Sequence, residues 1–96
     1  MRSNRYYMVS FSSTHHAMRA EQFLKARVPV CTMPTLRAVT NSCGISLRVE
    51  EDEEPALKLA LMDGFPVPRE YYRMFYVTDS VPAEISIEGL MNKEGR

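Results

Sequence analysis

The sequence predicts an α+β domain, a four-stranded antiparallel sheet with two helices packed on one face. Three observations lead there. Tyr6 to Phe11 and Ile45 to Val49 alternate in the way half-buried strands do. Two segments of helical length, His15 to Arg27 and Pro55 to Asp63, each follow a strand and stop at a proline or a glycine. The order of elements then reads β-α-β-β-α-β.

Each element has a local reason. In the first strand Tyr7, Val9 and Phe11 alternate with Met8 and Ser10. Ser12-Ser13-Thr14 supplies side-chain oxygens able to cap the helix that follows. Ala17, Ala20, Leu24 and Val28 fall at spacings of three and four, which makes one apolar stripe, and Pro29 ends it. Val30 to Met33 is a short second strand closed by Pro34. The third strand is apolar at 45, 47 and 49 and polar at 46 and 48, so one face is buried and one is wet. Glu50 to Glu54 precedes Pro55. Acidic residues and an early proline suit a helix N-terminus, and Gly64 suits the position just past its C-terminus. Tyr72 to Thr78 is the last strand.

These elements make residues 1–79 a single ferredoxin-like domain. Residues 80–96 form a tail that is either mobile or adds an edge strand near Glu84 to Ile87. The second and third strands pair as an edge hairpin, and the first and last are central. If Phe75 and Val77 face the helices, then Tyr6, Met8, Met74 and Tyr76 line the other face. That face serves a homodimer, or the tail folds across it.

Composition excludes several classes. Twelve basic and twelve acidic residues balance, so net charge gives no reason to expect nucleic acid or an anionic membrane as partner. No apolar run approaches the roughly 20 residues of a membrane span. A cytoplasmic location is expected, and there two cysteines are expected as thiols rather than a disulfide. No phosphate loop, carboxylate dyad or zinc spacing is present, so neither a cofactor nor a metal is expected.

The chemistry concentrates in Pro34-Thr35-Leu36-Arg37-Ala38-Val39-Thr40-Asn41-Ser42-Cys43-Gly44, a polar loop ending in a thiol. Cys43 at a loop–strand junction is the candidate nucleophile. Gly44 lets another backbone or a substrate approach the sulfur. Arg37 and Arg48 are the nearest cations in sequence, and cations favour a thiolate. Ser42 is a candidate hydrogen-bond donor to the anion. Cys31 lies several residues along the hairpin, too far for a bridge. It is expected as a small buried hydrophobe.

These residues carry a resemblance. Tyr6 to His15, the helix with Met18-Arg19-Ala20-Glu21, and Pro34-Thr35-Leu36-Arg37 followed by Ser42-Cys43-Gly44-Ile45 resemble a family of small bacterial domains described as selenium/sulfur carrier protein-like. The likeness covers about residues 5 to 79. Its most specific piece is the Cys-Gly pair after the Pro-x-x-Arg loop, with Leu36 where a second proline is expected. The resemblance implies a carrier rather than a stand-alone enzyme. Cys43 would accept a persulfide or selenosulfide from a sulfur-transfer enzyme such as a cysteine desulfurase. The rival expectation is a non-catalytic interaction or regulatory module working through the open sheet face.

Overall fold

The computed structural model describes residues 4–92, with backbone only for Met91 and Asn92. Its strands are β1 (Arg5–Phe11), β2 (Cys31–Pro34), β3 (Ile45–Glu50), β4 (Tyr72–Thr78) and β5 (Val81–Ile85). Its helices are α1 (Thr14–Leu24), α2 (Glu54–Met62) and α3 (Ile87–Asn92). The fold is α+β with an antiparallel sheet, as expected. The expectation of four strands and two helices is corrected to five and three among the described residues.

The strand order is β2-β3-β1-β4-β5. β1 is bonded on both sides, with Met8 opposite Arg48 of β3 and Phe75 of β4. β5 is the added edge strand, at Val81–Ile85 rather than at 84–87. It follows β4 through a two-residue turn in which Asp79 and Ser80 have φ of 51° and 69°. Both positive values are the signature of a tight hairpin whose twist matches its strands. Pro34 and Pro82 lie in the two edge strands, β2 and β5, where a missing N–H is tolerated.

The helices begin and end as their residues dictate. Ser13 caps α1, accepting from the His16 N–H. A short 3₁₀ turn, Glu51–Glu53, leads into α2, which has Pro55 in its first turn. Gly64 follows with φ of 77°, the left-handed conformation a helix terminus favours. Tyr7, Val9 and Phe11 of β1 meet Ala17, Ala20 and Leu24 of α1 and Leu57 and Ala60 of α2 in one core.

The other face departs from expectation. β4 has the opposite parity to the one expected: Met74 joins the helix-side core, whereas Phe75 and Val77 lie on the far side with Tyr6 and Met8. Pairing decides this, because Phe75 sits directly opposite Met8 and Val77 opposite Tyr6. Tyr76 instead stands beside Tyr7 on the helix side, ring centroids 5.3 Å apart.

Nor is this face open. The β2–β3 loop lies across it, with Leu36 and Val39 packed against Tyr6, Met8, Phe75 and Val77, and Met33 of β2 beside them. Val39 is buried, and Arg73 Nη1 donates to the Thr40 carbonyl at 2.7 Å. A chain this small exposes much of its surface, so covering a second face with a loop adds a core it otherwise lacks.

Two consequences are measurable. Val39→Ala is expected to lower stability by about 1–2 kcal/mol in urea titrations and to speed amide exchange first in residues 36–43. The Tyr7 phenol is pushed well above its ordinary value, chiefly by burial and then by the charge of Glu54. A group raised in the folded state stabilises fully below its unfolded value, near about 10, and loses that contribution as pH rises beyond it. Denaturation midpoints are therefore expected to fall above about pH 10. The fall should be smaller in Tyr7→Phe.

Candidate functional site

Cys43 closes the β2–β3 loop, and its backbone is held on both sides. Its N–H donates to the Phe11 carbonyl at 2.8 Å, at the end of the central strand. Its own carbonyl accepts from the Thr35 hydroxyl at 2.9 Å. Next to it, the Gly44 carbonyl accepts from the Thr35 N–H at 3.0 Å. The thiol is therefore presented from a pinned backbone and not from a freely mobile loop.

The thiol itself is half-buried against the helix-side core and donates to the Ile45 carbonyl at 3.2 Å. Only the protonated sulfur can make that bond, so a thiolate must leave it. Thr35 spends its single hydroxyl hydrogen on Cys43, so in the 2.6 Å contact between Thr35 Oγ1 and Ser46 Oγ, Ser46 is the donor. Ser46 is fully buried, as is its cross-strand partner Ser10, whose hydroxyl has no hydrogen-bond partner among the described residues. A small hydroxyl cluster thus lies under the loop and fixes its exit.

Gly44 is exposed, and a methyl group built there would meet nothing within 4 Å. Its φ is not in the left-handed region, so the glycine leaves space rather than relieving strain. A shallow groove of about 530 Å³ runs between Met18 and Glu21 of α1 and Thr32 and Pro34 of β2, and reaches Gly44.

The other predicted site residues divide. Ser42 is half-buried beside Cys43. Arg37 is exposed in the turn closed by the Val39 N–H to Leu36 carbonyl bond. Arg48 is elsewhere. Its side chain lies on the loop-covered face, stacked 3.8 Å over the Tyr6 ring and paired with Glu50 at 2.5 Å. That hydrogen bond raises the guanidinium pKa above its ordinary value, against the opposing effect of burial. Arg48 pairs in register with Cys31, so the second thiol, and not Cys43, has this cation as neighbour. Cys31 is half-buried rather than fully buried, and both cysteines are free.

Thr35 is the site residue that sequence reasoning missed. The available signal was its position: once Pro34 pairs with Ile45, the next residue must face Gly44. His16 is engaged structurally. It stacks on Tyr71 at 4.6 Å, and its Nδ1 lies 2.8 Å from Ser13 Oγ. Among the described residues no three His, Cys, Asp or Glu side chains gather in a way that could hold a metal. No helix among them is long and apolar enough to cross a membrane.

A family model described as "Putative Se/S carrier protein-like" matches residues 6–73. The chain belongs to that family. The match runs from β1 into β4 and contains the whole loop with Cys43. β5 and α3 lie beyond it. Neither the curated proteins nor the solved structures contain a match to this chain.

The anchoring of Cys43 can be tested directly. Thr35→Val leaves the Cys43 carbonyl and the buried Ser46 hydroxyl without their partner, at a cost of about 1–3 kcal/mol. Alkylation of Cys43 by iodoacetamide should be faster in Thr35→Val, and close to the parent rate in Thr35→Ser.

Proposed function

We propose that the protein carries sulfur or selenium on Cys43, as a persulfide or selenosulfide. The observation that supports this most is the setting of the thiol. It sits inside the family match on a fixed backbone, with open space at Gly44 and a groove leading to it.

The transfer step is a displacement at sulfur. The Cys43 thiol leaves the Ile45 carbonyl and gives up its proton. The thiolate attacks the terminal sulfur of a donor persulfide, R–S–SH. A new S–S bond forms at Cys43 as the donor's own S–S bond breaks, and the donor departs as a thiolate that takes up a proton. The products are Cys43–S–SH and R–SH, with no net oxidation. With a selenosulfide donor the same exchange gives Cys43–S–SeH.

In this reading Ser42 donates to the sulfur anion, Gly44 admits the donor's reacting group, and Arg37 favours the anion from its exposed turn. Arg48 remains with Glu50 and Tyr6 and stands outside the step. A cysteine desulfurase is the donor class whose chemistry fits. The groove that reaches Gly44 is shallow and open, so transfer takes place at a transient interface of modest area. The rival reading, an interaction module working through an open sheet face, loses its surface: Tyr6, Met8, Phe75 and Val77 are 6%, 0%, 4% and 0% exposed.

The experiment is incubation with a cysteine desulfurase and cysteine, followed by intact-mass measurement and peptide mapping. The expected outcome is a gain of one sulfur atom on Cys43, retained in Cys31→Ser and absent in Cys43→Ser. No adduct, or an adduct on Cys31 alone, while Cys43 still alkylates normally, would remove the sulfur reading.

A further inference from the structure

A second cavity lies toward the other end of the sheet from Cys43. It has a volume of about 440 Å³ and is lined by Tyr7, Tyr76, Glu51, Glu54, Ile85 and Leu90. That is within the size range of small-molecule sites. Tyr7 is four residues before Phe11, whose carbonyl holds Cys43, which places the two regions roughly 13 Å apart along β1. Ile85 and Leu90 belong to β5 and the α3 segment, beyond the residues the family model matches. The chain's own C-terminal addition therefore walls this cavity.

The lining has a definite chemistry. Tyr7 and Tyr76 present two aromatic rings, tilted at 57° to one another. The Tyr76 hydroxyl donates to Glu51 Oε2 at 2.8 Å and fixes that carboxylate at the cavity wall. Glu54 acts on the Tyr7 phenol from the same wall and helps to raise it. Both phenols are pushed above their ordinary values and stay neutral donors near neutral pH. Glu54 already has a cation, Lys58 Nζ at 3.3 Å. Glu51 makes no ion pair among the described residues, although the charge of Arg5 is felt at Tyr76. One carboxylate charge thus faces an apolar, aromatic space.

We propose that this cavity binds a small organic ammonium ion, its charge on Glu51 and its apolar part packed against the tyrosine pair, Ile85 and Leu90. An ammonium ion satisfies the carboxylate and also gains from the ring faces. A hard divalent cation is less suited, because it needs six or more oxygen ligands and Glu54 is held by Lys58. An anion meets the Glu51 charge directly. The proposal is independent of sulfur carriage at Cys43.

The test uses the full chain and phenethylamine as the ammonium probe, with phenethyl alcohol as neutral control and phenylacetate as anionic control. Amide shifts are followed by two-dimensional NMR. The amine is expected to give saturable shifts centred on residues 85–90, and the two controls to give none. Glu51→Gln should weaken binding by about tenfold or more. Tyr76→Phe, which keeps a ring but frees the carboxylate, should weaken it less, and Cys43→Ser should leave it unchanged. Absence of saturable shifts up to about 10 mM overturns the proposal. So does alcohol binding as tight as the amine's, or parent-like affinity in Glu51→Gln. If Glu51→Gln fails to give a dispersed spectrum, Tyr76→Phe decides, and an affinity equal to the parent's is then the contrary result.

Discussion

The rest of the structure depends on β1 being bonded on both edges and buried on both faces. From Tyr6 to Phe11 every residue is buried. A strand in that position needs two separate covers, one for Tyr7, Val9 and Phe11 and one for Tyr6, Met8 and Ser10. The helices supply the first. A chain of this length has no third large element to supply the second, so the β2–β3 loop takes that role. The location of Cys43 follows, because the covering segment must return to the sheet at the end of β1, where the Phe11 carbonyl receives it.

Much of this was legible in the sequence and some was not, for physical reasons. β1 and β3 could be read because one of their alternating sets is consistently apolar. The start of α1 and the end of α2 could be read because Ser13 and Gly64 each do chemically specific work at a terminus, whereas α1 stops at Leu24, three residues short of the Arg27 expected from Pro29. β4 could be placed but not oriented. Met74, Phe75, Tyr76 and Val77 are all apolar or aromatic, so alternation carries no information about which pair faces the helices. Only the register with β1 settles it, and register is a long-range property. β5 was misplaced because Asp79 and Ser80 form a hairpin turn without the usual glycine.

The candidate site shows the same division. The loop and Cys43 stood out from local composition, but the covering role of Leu36 and Val39, three residues apart in a polar stretch, went unread. Of the two cations near Cys43 in sequence, Arg48 is turned away from it in space. Arg48 follows the strand's alternation to the opposite face, three residues beyond the helix-facing Ile45. Thr35 emerged only once pairing set it against Gly44.

The prolines in the two edge strands have a consequence for how the molecule behaves in a crowd of its own copies. A sheet edge is a row of unpaired donors and acceptors, and a second chain can extend it. At Pro34 in β2 and Pro82 in β5 a donor is missing from that row. β2 offers only four residues in any case. Growth of the sheet from copy to copy, the first step toward a fibre, is thereby discouraged at both ends, and the two helices and the covering loop close the remaining sides. At each end of the sheet the missing donor thus makes edge-to-edge addition of another copy less favourable.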